Sequence, residues 1–278
     1  MKIDASGLAA RHPAARAGAP PALQPLDLQV ADGEQIAVIG PSGAGKTTLL
    51  QVLACALPPG AGSLRLGGQN PWALRRRDLQ RLRGRLFLAP QVPPLPPRQR
   101  VVTAVLAGRL PAMGLLASLR SLFYPSDIPA AHDALARFDL ADKLFERVDR
   151  LSGGERQRIG LARALLAPAR LWLVDEPLSA LDPTRATQAI ATLVQQAAER
   201  GATLVATLHQ VDMALAHFSR IVGLRDGRLV FDLPTAEVTR DRLERLYAQH
   251  EGELDGAAPT PDLLPEPAQP APVVMHCR

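Results

Sequence analysis

The chain has few aromatic residues and only two cysteines. Phe, Trp and Tyr make up 4% of its 278 residues, which argues weakly against a surface that binds nucleic acid by stacking on bases. Cys55 and Cys277 predict neither a disulfide framework nor a metal site, as expected of a protein from a reducing cytosol. Cys55 lies in an apolar stretch, which we expect to be a buried helix.

Long apolar runs are also missing. No uninterrupted apolar stretch reaches the roughly 18 residues that cross a bilayer, and the N-terminus lacks the apolar core of a signal peptide. If the protein works at a membrane, we expect another chain to supply the spans. The net charge of +5 is compatible with nucleic acid or a membrane surface as a partner, but so modest a charge favours an ordinary basic surface.

Residues 40–47 read Gly-Pro-Ser-Gly-Ala-Gly-Lys-Thr, which is the spacing of a P-loop. The apolar runs at 35–39 and 48–54 predict the strand and the helix that this motif needs, and they argue against a chance glycine-rich turn. Lys46 can reach the β- and γ-phosphates of a nucleotide, and the Thr47 hydroxyl can bind Mg²⁺. The candidate nucleotide-binding residues are Gly40, Pro41, Ser42, Gly43, Ala44, Gly45, Lys46, Thr47 and Thr48.

Strands alternate with helices along most of the chain, after a turn-rich stretch from His12 to Pro25. This alternation predicts an α/β fold with a mainly parallel sheet. The long helical stretch between two strands predicts a separate helical lobe at about 98–165. We predict one domain over 1–250 and a flexible, Pro- and Ala-rich tail over 251–278. The predicted strands are 35–39, 86–89, 171–174 and 203–208, with a hairpin at 221–231, and the later predicted helices are 74–83, 155–166, 184–199 and 241–250.

Acidic residues follow the apolar strand at 171–174. Asp175 could hold Mg²⁺, and Glu176 could activate a water molecule as a general base. His209 directly follows the strand at 203–208, so it would point toward the ligand crevice at the carboxyl edge of the sheet. There it could bind a γ-phosphate or position the water. A strand that simply ends in charged residues, or a surface histidine, is the alternative.

Two further stretches carry weaker signals. Gln91 follows a short strand, so its amide could lie near Mg²⁺ or water. Residues 151–155 read Leu-Ser-Gly-Gly-Glu and open a helix, where Ser152, Gly153 and Gly154 could bind an anion. An ordinary helix N-terminus with Ser152 as the cap fits the same residues.

These stretches, in this order, resemble the motifs of the ATP-binding subunit of ABC transporters. Residues 40–47 are similar to Walker A, Gln91 to the Q-loop glutamine, and residues 151–155 with Gln157 to the signature motif. Residues 171–175 resemble Walker B, Glu176 the catalytic glutamate, residues 179–182 the D-loop, and His209 the switch histidine. The match extends over nearly all of residues 1–250.

The resemblance implies a P-loop NTPase (RecA-like) core with an antiparallel β subdomain and an inserted helical lobe. It also implies ATP and Mg²⁺ as cofactors, with Lys46, Glu176 and His209 catalytic and Thr47, Gln91 and Asp175 near the metal. Two copies would form a head-to-tail dimer in which Ser152, Gly153 and Gly154 serve the partner's nucleotide. The dimer would lie at the cytoplasmic face of the inner membrane, bound to transmembrane permease subunits and served indirectly by a periplasmic solute-binding protein.

Residues 105–110, 120–123 and 209–212 are similar to phosphonate-import ATPases within this family, which implies uptake of phosphonate or a related phosphorus oxyanion. Two stretches depart from the family pattern. His12 takes the place of the aromatic residue that stacks on adenine, and the Q-loop is rich in proline from Pro90 to Pro97.

Two other functions remain open at this point. One is an importer ATPase for another small solute, such as an amino acid or a metal ion. The other is a soluble ABC ATPase without a permease. The arginines between Arg75 and Arg85 could bind nucleic acid or anionic lipid head groups. A solvated helix face is the favoured interpretation of those arginines, so we expect no nucleic-acid partner.

Overall fold

A computed structural model describes residues 1–12 and 20–248, and only the backbone of Leu122. The predicted tail at 251–278 and the end of the last predicted helix lie outside these residues. Within them, no helix combines the length and the apolar character needed to cross a membrane.

A six-stranded sheet forms the centre of the fold, with the strand order β5-β6-β7-β3-β8-β9. Its first five strands in this order run parallel and β9 pairs antiparallel with β8. The predicted α/β fold with a mainly parallel sheet is therefore confirmed. The strands are β3 (Gln35–Ile39), β5 (Leu86–Ala89), β6 (Leu171–Asp175), β7 (Thr203–Leu208), β8 (Arg220–Arg225) and β9 (Arg228–Pro234).

A second sheet has the order β2-β1-β4, and both of its strand pairs are antiparallel. It contains β1 (Ile3–Ala10), β2 (Leu23–Val30) and β4 (Ala61–Leu66), and it is the antiparallel β part that the resemblance implied. The turn-rich stretch predicted up to Pro25 is too long, because β2 already begins at Leu23. A proline is tolerated there since β2 is an edge strand.

Nine α-helices lie in the described part of the chain, and four of them, α3 to α6, fall between β5 and β6. The predicted helices agree with the observed ones within a few residues, but α1 ends before Cys55, which is buried with a positive φ of 56°. The helices are α1 (Lys46–Leu53), α2 (Arg76–Arg83), α3 (Val101–Leu106), α4 (Leu115–Phe123), α5 (Ile128–Ala136), α6 (Gly153–Leu166), α7 (Pro183–Glu199), α8 (Val211–His217) and α9 (Arg240–Leu246).

The central sheet is covered by apolar side chains on both faces. Along β6, Trp172 and Val174 belong to one buried cluster, whereas Leu171 and Leu173 belong to the other. Successive residues of a strand point to opposite faces, so one short strand contributes to both layers. This explains why the central strands are continuous apolar runs rather than alternating ones.

Arg220 connects the two sheets. From β8 its guanidinium binds both carboxylate oxygens of Asp232 on β9 at 2.6 Å, and it also contacts Glu34 at 2.8 Å and the Gln29 carbonyl oxygen on β2 at 2.9 Å. The bonds to Asp232, with those to Glu34, raise the pKa of this guanidinium. The antiparallel sheet is thus attached to the central sheet by a charge-assisted network.

Gly223 on β8 gives a test of this packing. A Cβ atom at this position would lie 2.6 Å from Cε1 of the buried Phe231 ring, so we expect Gly223→Ala to lower the free energy of unfolding by about 1–3 kcal/mol. Thermal unfolding would measure the loss, with Ser219→Ala, at an exposed position, as the control. An unchanged melting temperature would contradict the tight contact between β8 and β9.

Candidate functional site

The loop at 40–45 joins the carboxyl end of β3 to the N-terminus of α1. Gly43 and Gly45 have positive φ values of 77° and 100°, a conformation that L-residues with a side chain rarely adopt. A Cβ atom at Gly40 would lie 1.9 Å from the Leu224 carbonyl oxygen. Glycine at these positions therefore lets the loop close tightly against β8 and turn into the helix.

Lys46 begins α1 and is only 5% exposed. Its ammonium donates hydrogen bonds to the carbonyl oxygens of Gly40 at 2.7 Å and Pro41 at 3.1 Å. Pro41, Ala44 and Thr48 are buried, while Ser42, Gly43 and Thr47 are exposed. The loop thus holds a buried cation inside its curve and presents its outer residues to solvent.

Asp175 ends β6 and lies close to this loop. Burial raises the pKa of its carboxyl, and hydrogen bonds with the hydroxyls of Thr207 and Thr47 oppose part of that rise. The Thr207 hydroxyl donates to Oδ1 at 2.6 Å. The structure therefore brings together the predicted metal-site residues Thr47 and Asp175.

Glu176 has a φ of 47°, a left-handed conformation that costs about 1–3 kcal/mol for a residue with a side chain. Its N–H donates to the carbonyl oxygen of Thr207 at 3.2 Å and to its hydroxyl at 3.0 Å. The neighbouring strand thus supports this strained backbone. A positive φ in a non-glycine residue is common at functional sites.

The carboxylate of Glu176 contacts Nε2 of His209, 2.5 Å from Oε1. Burial acts to raise the pKa of the Glu176 carboxyl, but the hydrogen bond and charge of His209, together with the charge of Lys46, outweigh it, so this pKa is lowered. Glu176 is consequently an ionised carboxylate at neutral pH. The structure thus brings Glu176 and His209 into contact, with Lys46 close enough for its charge to act on the carboxylate.

Ser152 is the N-cap of α6. Its hydroxyl accepts a hydrogen bond from the N–H of Glu155 at 3.2 Å, and the Glu155 carboxylate accepts one from the N–H of Ser152 at 2.8 Å. This capping box confirms the alternative interpretation of Ser152 as a helix N-cap. Ser152 and Gly153 are exposed and Gly154 is half-buried, so the start of α6 remains accessible.

Gln157, one turn into α6, connects this helix to the segment after β6. Its amide nitrogen lies 2.8 Å from the Glu176 carbonyl oxygen and 3.3 Å from the Ser179 hydroxyl, and its amide oxygen accepts from the N–H of Ala180 at 3.0 Å. The side chain is 4% exposed. A single buried amide therefore joins the signature-like helix to the backbone of Glu176 and to residues 179–180.

The other predicted residues lie further out. Gln91 is exposed in the loop after β5, and His12 is exposed two residues after the end of β1. A Cβ atom at Gly160 would lie 2.7 Å from Cγ of Pro93, so the proline-rich loop packs directly on α6. Gln91 and His12 thus lie at the surface, in the segments that follow β5 and β1.

Two residues that shape the site, Thr207 and Tyr247, were not predicted from the sequence, and Gln157 was predicted only through its resemblance to the signature motif. Thr207 and Gln157 hold Glu176, and the buried Tyr247 hydroxyl accepts a hydrogen bond from the N–H of Gly40 at 3.1 Å. A threonine near the end of an otherwise apolar strand, and a glutamine on the buried side of α6, were visible signals. Tyr247 gave none, because its partner is 207 residues away.

These residues fit a nucleotide with a divalent cation. The loop offers backbone N–H groups and one buried ammonium for phosphate, and Thr47 with Asp175 offers hydroxyl and carboxylate oxygens of the kind that Mg²⁺ prefers. Among the described residues there is no cluster of three or more His, Cys, Asp or Glu side chains that could hold a metal alone.

Comparison with known proteins agrees with this geometry. The family model described as ABC transporter matches residues 23–179. The chain is 69% identical to the phosphonates import ATP-binding protein PhnC 2 of Albidiferax ferrireducens and 68% identical to the phosphonates import ATP-binding protein PhnC of a Polaromonas species, in each case over 100% of both chains. A solved dimeric ATP-binding cassette, bound to ADP and Pi, has a TM-score of 0.71 at 24% identity and covers 84% of this chain and 98% of its own. The chain belongs to the ABC transporter family.

Proposed function

We propose that this chain is the ATP-hydrolysing subunit of an ABC importer for phosphonate or a related phosphorus oxyanion. The observation that carries the proposal is the meeting of a P-loop lysine, an Asp175–Thr47 pair and a Glu176–His209 pair at one edge of the sheet. Identity of 68–69% to phosphonates import ATP-binding proteins over the whole chain supports the solute class.

The nucleotide would lie in the loop of Gly40, Pro41, Ser42, Gly43, Ala44 and Gly45 at the start of α1. Lys46 would exchange its carbonyl contacts for the β- and γ-phosphates, and Thr47 with Asp175 would hold Mg²⁺. Bound MgATP supplies the phosphoanhydride bond and part of the charge neutralisation. His12 would stack on the adenine and Gln91 would approach the metal, and Thr48 would support the loop from within.

Glu176 would accept the proton of the attacking water, and its lowered pKa keeps the carboxylate in the ionised form that a general base needs. His209 would hold the γ-phosphate from the other side and keep the carboxylate oriented. Lys46 would stabilise charge that develops on the phosphate oxygens. Each of these groups lies at the start of a helix or just after the end of a strand or within it.

Assembly completes the proposed site. A second copy, arranged head to tail, would place the exposed Ser152 and Gly153 with Gly154 on the nucleotide of this chain. Transmembrane permease subunits would dock on the helical lobe and the proline-rich loop, at the cytoplasmic face of the inner membrane. A periplasmic solute-binding protein would deliver the solute without touching this chain.

Growth of cells carrying a Glu176→Gln allele tests the chemistry and the solute together. We expect growth to fail with phosphonate or phosphite as the sole phosphorus source and to continue on phosphate. The purified variant should bind ATP while its hydrolysis rate falls by about 10²–10⁴-fold, as expected for loss of a general base.

Glu237→Gln makes the same chemical change at an exposed position and serves as the control. Normal growth of the Glu176→Gln cells on every phosphorus source would refute the phosphonate assignment. Near-normal hydrolysis by the purified variant would separately refute Glu176 as the base.

The pH dependence of hydrolysis tests the Glu176–His209 pair. His209→Ala removes the contact that lowers the Glu176 pKa and leaves the burial that raises it. Less of the base is then ionised at low pH, so the acidic limb of the kcat profile should move to higher pH. His209→Gln, which can still donate a hydrogen bond, should move it less.

His132→Ala, at an exposed position, is the matched control and should leave the profile unchanged. A lower kcat with the acidic limb at its original pH would mean that His209 acts on the phosphate alone.

A further inference from the structure

Four apolar side chains described on the helix α4 face solvent. Leu115, Leu116 and Phe123 are 76%, 83% and 78% exposed, and Leu119 is 50% exposed. The half-buried residues of the helix include Ser118 and Ser121, and the Ser121 hydroxyl donates to the Ser118 carbonyl oxygen at 2.8 Å. A surface helix normally has the opposite arrangement, with its apolar stripe toward the core.

The stretch around α4 carries charge of one sign. Between Asp78 and Asp127 the sequence has seven arginines and no acidic residue. This segment holds more positive charge than the whole chain, whose net charge is +5, so the rest of the protein is weakly acidic. The arginines are Arg81, Arg83, Arg85, Arg98, Arg100, Arg109 and Arg120.

Several of these arginines are exposed, and part of the segment is adjacent to α4 in space. Arg85, Arg98, Arg100 and Arg120 are exposed. A Cβ atom at Gly84 would lie 3.5 Å from Cβ of Pro111, so the end of the arginine-rich α2 packs on the turn that precedes α4. Arg120 is thus on α4 itself, and the end of the arginine-rich α2 lies next to the turn that leads into α4.

We propose that α4 and its basic surroundings bind the surface of an anionic lipid bilayer. Protruding leucine and aromatic side chains next to arginines are the composition of helices that lie in a membrane interface. Arginines near an anionic leaflet add electrostatic attraction. The apolar side chains would enter the headgroup layer and Arg120, on α4 itself, would contact lipid phosphates. The biological relevance of this proposal rests on the proposed function as a subunit of a membrane importer.

Vesicle flotation with the full chain tests the proposal without a permease or a solute, so its failure leaves the transport proposal standing. We expect the protein to float with vesicles of phosphatidylcholine and phosphatidylglycerol, to bind vesicles of phosphatidylcholine alone weakly, and to lose binding in high salt. Leu116→Ser with Phe123→Ser should lower the bound fraction by about tenfold or more, because two large apolar side chains are lost.

The matched control is Phe145→Ser with Val230→Ser, which removes two exposed apolar side chains outside α4 and should keep binding. Basal ATP hydrolysis should be equal in both double variants. Failure of the wild-type chain to bind anionic vesicles would overturn the proposal and leave α4 as a contact for a protein, such as the permease. Equal loss in the control would overturn the assignment to α4.

A separate observation concerns Gln157. Its amide contacts the Glu176 carbonyl oxygen, the Ser179 hydroxyl and the Ala180 N–H, while Ser152 to Gly154 form the start of the same helix. We propose that Gln157 is a positioning residue. Through its bond to the Glu176 carbonyl oxygen, it couples the orientation of the Glu176 carboxylate to the position of α6. Because Gln157 and residues 152–154 belong to the same helix end, a movement of the start of α6 would also move the hydrogen-bond partner of the Glu176 carbonyl oxygen.

Gln157→Leu tests this role, because it keeps the size of the side chain and removes all its hydrogen bonds. We expect kcat for ATP hydrolysis to fall by about tenfold or more with KM for ATP little changed, since a 1 Å misplacement of a catalytic group can cost about 10²-fold. Gln157→Glu, which keeps an acceptor for the Ala180 N–H, provides a second variant if the first folds poorly.

Gln196→Leu is the control, because Gln196 is similarly buried, at 5% exposed. Its amide nitrogen donates to the Glu199 carboxylate on α7 and not to Glu176. Both leucine variants should lower the melting temperature, and only Gln157→Leu should lower kcat. Equal kcat values in the two variants, or a change in KM alone at Gln157, would overturn the positioning role.

Discussion

The hydrogen-bond register between β6, β7 and β3 is the constraint on which the site depends. Asp175 pairs with Thr207 across β6 and β7, and Ile39 pairs with Leu208 across β3 and β7. A slip by one residue would turn every side chain to the other face of the sheet. Because both faces are buried, such a slip would also disrupt two apolar layers. The packed core thus fixes the separation between the P-loop and the two acidic residues.

The parts of the site that follow a local pattern were predictable from the sequence. Lys46 follows a glycine-rich loop, and Asp175 ends a short apolar strand. Each of these patterns involves only residues that are neighbours in the sequence. Gln157 and Thr207 acquire their roles from partners on other elements, so the local sequence marks them only as polar residues in apolar surroundings. The strand β2 was hidden by Pro25, since a proline is compatible with a strand only at an edge, and edge position is a property of the whole sheet.

The strained backbone of Glu176 is supported by two different parts of the fold. A left-handed residue persists only where its surroundings hold it, and here the support comes from β7 through Thr207 and from α6 through Gln157. One support belongs to the rigid sheet, and the other belongs to the helical region between β5 and β6. Glu176 therefore lies at the junction of the central sheet and the helical region. A shift of one relative to the other would change the backbone contacts of this residue directly.

The position of β3 in the sheet has a consequence for synthesis of the protein on the ribosome. Its partners are β7 and β8, and the loop after it is closed by a hydrogen bond to Tyr247. A chain made from the N-terminus at about 5–20 residues per second therefore carries an unpaired apolar strand and an unfinished P-loop until nearly all described residues have emerged. Until β7 and β8 have been made, the nascent chain has neither hydrogen-bonded neighbour for this apolar strand, and the hydrogen bond that closes the P-loop forms only after Tyr247 has emerged.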